Sequence, residues 1–271
     1  MPELPEVETT RRGIEPHILH KQITKVILRE RKLRWPVPAR LPELLRDRSV
    51  NAVRRRAKYL LLDFDDAALM IHLGMSGSLR LVSAADPVRK HDHVDFCFRG
   101  GKTLRFHDPR KFGSIHWIPG DPALHPLLKD LGPEPLGDEF SGDLLFRLSR
   151  KRKAPVKTFI MDSHVVVGVG NIYANEALFR AGIRPTRAAG SVSRARYMQL
   201  AQAIREVLGE AIRVGGTTLR DFIGGDGEPG YFRQSLAVYG RGGMRCKNCG
   251  GILQEVRLGQ RATVYCGRCQ R

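Results

Sequence analysis

Four of the five cysteines in this 271-residue chain fall in two Cys-x-x-Cys pairs, Cys246 with Cys249 and Cys266 with Cys269, sixteen residues apart. Each pair sets two thiolates on one tight turn, and two such turns facing each other complete a tetrahedron, the spacing of a zinc ribbon. Disulfides are the alternative, disfavoured in a cytosolic setting. Four protein ligands leave no open coordination position, so the ion is expected to hold shape rather than to react. Residues 252–258 and 262–265 can pair as a hairpin whose turn carries Gly259, Gln260 and Arg261. So short a module has too little core to fold without its metal. Cys97, between Phe96 and Phe98, reads as a small apolar residue of a buried strand.

Upstream of this module the hydrophobic period changes twice. A helix is expected from Pro5 to about His20, with proline and acids in its first turn and Val7, Ile14 and Ile18 along one face. From Ile23 to Trp117 the period drops toward two, as in Val94-Phe96-Phe98, with glycine and proline between the runs, which reads as a β-sandwich or barrel. Residues 119–143, rich in Pro, Gly and Asp, read as a linker with one short helical piece near Leu127 to Leu131. Helical spacing then returns, over Asn171 to Arg180 and over Ser193 to Val214, the second with Tyr197, Leu200, Ile204, Val207, Leu208 and Ala211 on one face. The fold class is therefore α+β.

Lys and Arg number 46 against 28 Asp and Glu, a net charge of +18, far beyond what solubility needs. The basic residues lie inside patterned segments, which points to a folded surface for a polyanion rather than to a basic tail. The longest apolar runs, such as Val165 to Val169, are far short of a membrane span, and the N-terminus lacks the features of a signal peptide, so a soluble cytosolic protein is expected. No apolar surface stripe is left over, which favours a monomer.

The second residue is proline, small enough that removal of Met1 is expected, exposing a secondary amine beside Glu3. A terminal amine titrates near pH 8, well below lysine, and a helix N-terminus disfavours its charged form further. Pro2 is thus poised as a nucleophile, and attack on a sugar C1′ would give an iminium ion, an electron sink for eliminating phosphate.

Read together, MPELPEVET, RRRAKYLLL (54–62), IHLGMSGSL (71–79), KHDHVDF (90–96), DPRKFG (108–113), VVGVGNIYANEALFRAGI (166–183), GGTTLRDF (215–222) and the closing QRATVYCGRCQ resemble the bacterial formamidopyrimidine-DNA glycosylase family, in order and over nearly the whole chain. The resemblance implies an N-terminal catalytic β-sandwich with flanking helices (1–118), a linker (119–143), a helix-two-turn-helix domain with a lesion-lid loop (144–236) and a zinc finger (237–271). It implies a bifunctional base-excision repair enzyme that acts on double-stranded DNA containing an oxidised purine, 8-oxoguanine or a formamidopyrimidine. Pro2 would be the Schiff-base nucleophile, Glu3 the acid/base, Lys58 the proton donor in β-elimination and Arg261 the donor in δ-elimination. Met75, Arg110 and Phe112 would fill the gap left by the flipped base, and Asn171 would offer a helix N-terminus to phosphate. His91 and Arg152 would contact DNA, Lys157 would lie near the damaged-base pocket, and Leu219 to Gly230 would form the lid.

Two other readings compete. The endonuclease VIII branch, which prefers oxidised pyrimidines, shares Pro2, Glu3 and the zinc finger. Leu4 and the ELPEVE run, the Met75, Arg110 and Phe112 set and the Gly-rich lid favour the purine branch. A non-catalytic zinc-containing nucleic-acid-binding protein would need no free terminus, which is what separates it from the enzyme.

Overall fold

The structure, a computed structural model, describes residues 2–83, 85–215 and 236–271. They form two compact units, one built on residues 2–129 and the other on 130–213 with 236–271. The expected lid, Leu219 to Gly230, lies outside the described residues.

The first unit begins with helix α1 (Leu4–Ile18), which buries Leu4, Val7, Ile14 and Ile18. It ends two residues before the sequence pattern suggests, because Leu19 leaves helical backbone and His20 takes a left-handed φ of 58°. Strand β1 (Ile23–Leu28) and the short helix α2 (Leu41–Leu45) follow. Seven further strands come next: β2 (Ala52–Arg56), β3 (Tyr59–Asp63), β4 (Ala67–His72), β5 (Ser78–Ser83), β6 (Asp92–Phe98), β7 (Lys102–His107) and β8 (Ser114–Pro119). They make two antiparallel four-stranded sheets, ordered β1-β6-β7-β5 and β2-β3-β4-β8. Leu60, Leu62, Leu69, Ile71 and Ile115 of one sheet meet Val94, Phe96, Leu104 and Phe106 of the other in a single core. Each such side chain contributes roughly 1.5–3 kcal/mol by leaving water.

Period two predicts that the alternate residues of β6 face outward, yet Asp95 is buried, as is Asp92, which a register shift before Val94 takes out of the Val94-Phe96-Phe98 alternation. Arginines make this possible. Arg105 grips Asp95 at 2.8 and 2.9 Å, Arg29 reaches Asp95 at 2.7 Å and Arg80 reaches Asp92 at 2.8 Å, so each buried carboxylate is paired and hydrogen-bonded.

Four helices and a hairpin form the second unit: α3 (Gly142–Ser149), α4 (Val156–Ile160), α5 (Asn171–Arg180), α6 (Arg194–Arg213), β9 (Leu253–Leu258) and β10 (Arg261–Cys266). Helix α6 buries the face read from its sequence, Tyr197, Leu200, Ala201, Ile204, Val207, Leu208, Ala211 and Ile212. No helix is formed at 127–131; a 3-10 turn, Pro122–Leu124, stands just upstream, where the Ala123 N–H donates to Asp121 Oδ1 at 2.8 Å. The α3 start carries a signal the composition of 119–143 obscures: the Ser141 hydroxyl accepts the Leu144 N–H at 3.1 Å, an N-cap. Among the described residues no helix is long and apolar enough to cross a membrane.

Strands β9 and β10 pair from Leu258–Arg261 to Leu253–Cys266. Gly259 and Gln260 form the turn with φ of 54° and 60°. Positive φ at both positions matches the right-handed twist of a two-residue hairpin, and so Arg261 opens β10 instead of sitting in the turn.

Candidate active site and metal centre

At the start of α1, Pro2 is buried and Glu3 is the N-cap residue, 2% exposed. The Glu3 N–H donates to the Glu6 carboxylate at 2.8 Å, half of a capping box that fixes the chain's entry into the helix. One turn on, Glu8 accepts from Arg12 at 2.8 Å, Arg11 at 3.0 Å and Arg55 of β2 at 3.2 Å. Burial pushes the Glu8 carboxyl up, but the hydrogen bonds from Arg11 and Arg12 and the charges of Arg11 and Arg55 outweigh it and hold the group below the usual carboxylate range. Arg55 also donates to the carbonyl of Ala57, which sits at φ 54° in the β2–β3 turn. Lys58 is the other residue of that turn. Glu8, through Arg55, therefore ties the helix that begins at Pro2 to the hairpin that presents Lys58. Sequence reading gave no sign of it, because the link joins residues 47 positions apart.

His72 lies opposite Tyr59 in the β3–β4 register, its ring 5.0 Å from that of Tyr59. Burial lowers its pKa to about 4, helped by the charges of Lys58, Arg34 and His116, so it is neutral at physiological pH. Its Nδ1 accepts the Gly74 N–H at 3.0 Å, which places the imidazole proton on Nε2.

The residues expected to fill a vacated base stack come from two loops. Residues 73–77 join β4 to β5 and residues 108–113 join β7 to β8. Since β4 neighbours β8 and β5 neighbours β7, with His72 opposite Ser114 and Ser78 opposite His107, both loops cross between the sheets side by side. They touch at Gly74, where a Cβ would strike the Gly113 nitrogen and the Phe112 carbonyl carbon. Met75 is 39% exposed and Phe112 43%. The Arg110 guanidinium lies 4.9 Å from the Phe112 ring centroid. Two large apolar side chains are thus exposed on adjoining loops. His91, at φ 75°, stands beside this group with its ring 6.1 Å from His93 and 6.2 Å from His107. Partial burial and the nearby cations lower its pKa.

In the second unit Lys157 is fully buried. Its Nζ donates to Asn171 Oδ1 and Thr263 Oγ1, each at 2.6 Å, and to the Ala262 carbonyl at 3.0 Å. Three acceptors match the three donors of an ammonium, and they come from the start of α5 and from β10, next to Arg261. Lys157 thus braces the start of α5 against β10. Asn171 is the first residue of α5 after an N-cap glycine, and the Lys157 bond turns its oxygen inward, leaving Nδ2 as the donor. Arg152 is exposed, as are Lys151 and Lys153 on either side, and Arg261 is exposed on the hairpin. Glu176 of α5, buried, accepts the backbone N–H groups of Ala237, Val238 and Tyr239 at 2.7–2.9 Å and anchors the segment leading into the cysteine module. Its pattern is invisible in sequence because its partners are backbone amides.

All four sulfurs of Cys246, Cys249, Cys266 and Cys269 lie within 4.8 Å of one another. Cys249 and Cys266 are 3.5 Å apart and Cys246 and Cys269 3.9 Å. A disulfide would need about 2.05 Å. A tetrahedron with Zn–S bonds of about 2.3 Å has edges of about 3.8 Å, which these separations fit. Around the sulfurs pack Phe179 of α5, Val238, Leu253 and Val264. The four cysteines hold one structural zinc.

Residues 1–115 match the formamidopyrimidine-DNA glycosylase N-terminal domain, residues 131–223 the formamidopyrimidine-DNA glycosylase H2TH domain, and residues 243–271 a zinc finger found in FPG and IleRS. Sandwich, H2TH region and zinc hairpin in this order define a class of DNA glycosylase. A formamidopyrimidine-DNA glycosylase of Stutzerimonas stutzeri is 62% identical over 271 residues, covering 100% of both chains. The Lactococcus lactis Fpg in complex with an abasic site containing DNA superposes with TM-score 0.92 at 33% identity over 100% of both chains. The same protein with a Fapy-dG containing DNA gives TM-score 0.91 at 33% identity, over 99% of this chain and 100% of that one. The chain belongs to the formamidopyrimidine-DNA glycosylase family.

Proposed function

We propose that this DNA glycosylase of base excision repair removes oxidised purines, formamidopyrimidines and 8-oxoguanine, from duplex DNA in the cytoplasm and then nicks the emptied strand. The glycosylase activity follows from the family, and the residue roles are those that the resemblance implies. Freed of Met1, the Pro2 nitrogen attacks C1′, the glycosidic bond to the base breaks, and the base leaves with a proton. Glu3, at the same helix start, shuttles the protons needed for base loss and sugar-ring opening. The iminium ion acidifies C2′–H, whose proton passes to water while its electron pair forms the C2′=C3′ double bond and the C3′–O bond breaks, with Lys58 donating a proton to the departing phosphate oxygen. Loss of the C4′ proton to water, acidified through the conjugated iminium, then forms the C4′=C5′ double bond as the C5′–O bond breaks, with Arg261 in the same role. Met75, Arg110 and Phe112 occupy the gap in the stack, and Asn171 with the exposed arginines and His91 engages phosphate.

The observation that carries this reading is the start of the chain: Pro2 and Glu3 are buried at the positive end of α1, whose first turns are pinned to the Lys58 hairpin through Glu8 and Arg55. Borohydride trapping on a duplex with 8-oxoguanine opposite cytosine tests it. A covalent adduct is expected, reduced by at least about 100-fold in Pro2→Gly. Intact mass must show Met1 absent from the active protein. Absence of any adduct from wild type lacking Met1 defeats the mechanism and leaves a binding protein; adducts restricted to oxidised pyrimidines move the substrate to the endonuclease VIII class.

A further inference from the structure

Asp108 follows β7 as the first residue of the loop to β8 and is completely buried, although it carries an ionisable group. Its partners explain why. Oδ1 accepts the hydroxyl of Ser76 at 3.1 Å and the backbone N–H of Arg110 at 3.3 Å, and Oδ2 accepts the N–H of Gly113 at 2.7 Å. Its own N–H donates to the His91 carbonyl at 3.1 Å. Its carbonyl accepts from His93 Nε2 at 2.8 Å.

One carboxylate thus binds both loops that cross between the sheets. Ser76 follows Met75 on the first loop, and Arg110 and Gly113 bracket Phe112 on the second. The two backbones meet at Gly74 and Gly113 without room for a side chain, so a shift in either loop must move the other. Gly113 is also enclosed, since a Cβ there would meet the Phe106 ring, the His72 carbonyl and Asp108 Oδ2. The exposed tips are consequently carried on a rigid base. A short loop presenting a methionine and a turn presenting an arginine and a phenylalanine would otherwise move independently, because connections of this kind are the mobile parts of a sandwich.

We propose that Asp108 is a positioning residue that locks residues 73–77 and 108–113 into a single wedge, so that Met75, Arg110 and Phe112 enter a DNA duplex in one concerted step. The proposal deepens the function assigned above and rests on it. Asp108 touches neither the sugar nor the phosphates in this account; it acts through the separation and angle of the three side chains above it. Substrates that need the stack opened should feel its loss, and substrates already open should not.

The test compares Asp108→Asn and Ser76→Ala with wild type on two DNAs. The first is a duplex with 8-oxoguanine and a 2-aminopurine neighbour, whose fluorescence rises on unstacking. The second is a single-stranded oligonucleotide with an abasic site. Asn keeps an oxygen for Ser76 and Arg110 but turns an N–H toward that of Gly113, so the second loop comes loose. Asp108→Asn is expected to slow both the fluorescence rise and duplex excision by roughly 30–100-fold, the scale of a misplacement of about 1 Å. Cleavage of the single strand should stay within about twofold of wild type. Ser76→Ala, which cuts only the tie between the loops and leaves the 108–113 turn capped, should slow the fluorescence rise by about 5–10-fold while lowering the thermal midpoint by no more than a few degrees. It carries the test alone if Asp108→Asn does not fold. An equal loss on both DNAs, or a wild-type rate of unstacking in Ser76→Ala, overturns the proposal. Inactivity of wild type itself on both DNAs would instead strike the function assigned above, and is read from the wild-type reaction alone.

Discussion

Two two-residue hairpins carry the cations assigned to the two eliminations, and they are held in opposite ways. The β2–β3 hairpin, with Lys58 in its turn, grows out of a large apolar core that includes Leu60 and Leu62, and Arg55 and Glu8 fasten it to α1. The β9–β10 hairpin, with Arg261 beside its turn, rests on six buried residues, of which two are the metal ligands Cys246 and Cys266. Polar contacts add to that hold, among them Lys157, Arg184, which donates to the Tyr265 hydroxyl at 3.2 Å, and Asn175, whose Oδ1 accepts the Val264 N–H at 2.8 Å. The first arrangement is what hydrophobic burial yields when enough chain is available. In the second, a metal and a buried ammonium take the place of a core that the segment is too short to build.

Removing zinc should separate the two hairpins most sharply. Chelation is expected to erase hydrogen-exchange protection in β9 and β10 while leaving β2 and β3 protected, and to weaken DNA binding by at least about 100-fold at moderate salt, since structural zinc contributes on the order of 10 kcal/mol to modules of this kind. Protection of β9–β10 that survives full demetallation would erase the contrast, for the hairpin would then have a sufficient core of its own.

Lys157→Met probes the other half of the same support. Methionine fills most of the volume but leaves the Asn171 and Thr263 oxygens and the Ala262 carbonyl without their donor. Each buried acceptor left unsatisfied costs roughly 1–3 kcal/mol. The destabilisation should fall on the second unit in denaturant titration and lower the zinc affinity, while Schiff-base trapping by Pro2 on single-stranded abasic DNA persists. Unchanged zinc affinity would show that the metal alone holds the hairpin.

Local spacing made the zinc ligands, the α6 face and the alternation of β6 legible, because each is a pattern within one or two turns of chain. The site residues carried over by resemblance, such as Met75 and Phe112, gain physical support from their exposure in a protein that buries most of its large apolar groups. What escaped the sequence were the side chains that act at a distance along the chain. Glu8 reaches Arg55, Asp108 reaches Ser76, Lys157 reaches Thr263 and Glu176 reaches the backbone of residues 237–239. An isolated acid or lysine on a helix or strand reads as a solvated charge, and only the fold reveals that it is buried against a partner. The hairpin turn is a subtler case. Gly259 and Gln260 both take positive φ, so the turn closes in two residues and Arg261 belongs to the strand. That difference of one position decides which face of the hairpin the guanidinium leaves from.

Acid should expose the weakness of the first hairpin, where charge rather than metal supplements the core. His72, packed on Tyr59 beside Lys58, has a folded pKa near 4 against an ordinary 6.5 because burial and neighbouring cations oppose its charged form. Between those values the unfolded chain binds a proton that the folded protein does not, so stability falls as the pH is lowered from 6.5 to about 4 and levels off below that for this group, a loss on the order of 3 kcal/mol. Glu8 adds a second decline at lower pH, as its depressed carboxyl is finally protonated and releases Arg11, Arg12 and Arg55. His72→Gln cannot titrate and should flatten the upper part of the stability profile while the lower part remains. The zinc hairpin also loses its metal in acid, so the measurement must follow the β2–β3 amides by hydrogen exchange rather than a global signal. A profile for those amides that is the same in wild type and His72→Gln between pH 6.5 and 4 would mean that the imidazole is solvated in the native protein, and the Gly74 amide would then need another acceptor to hold the Met75 loop.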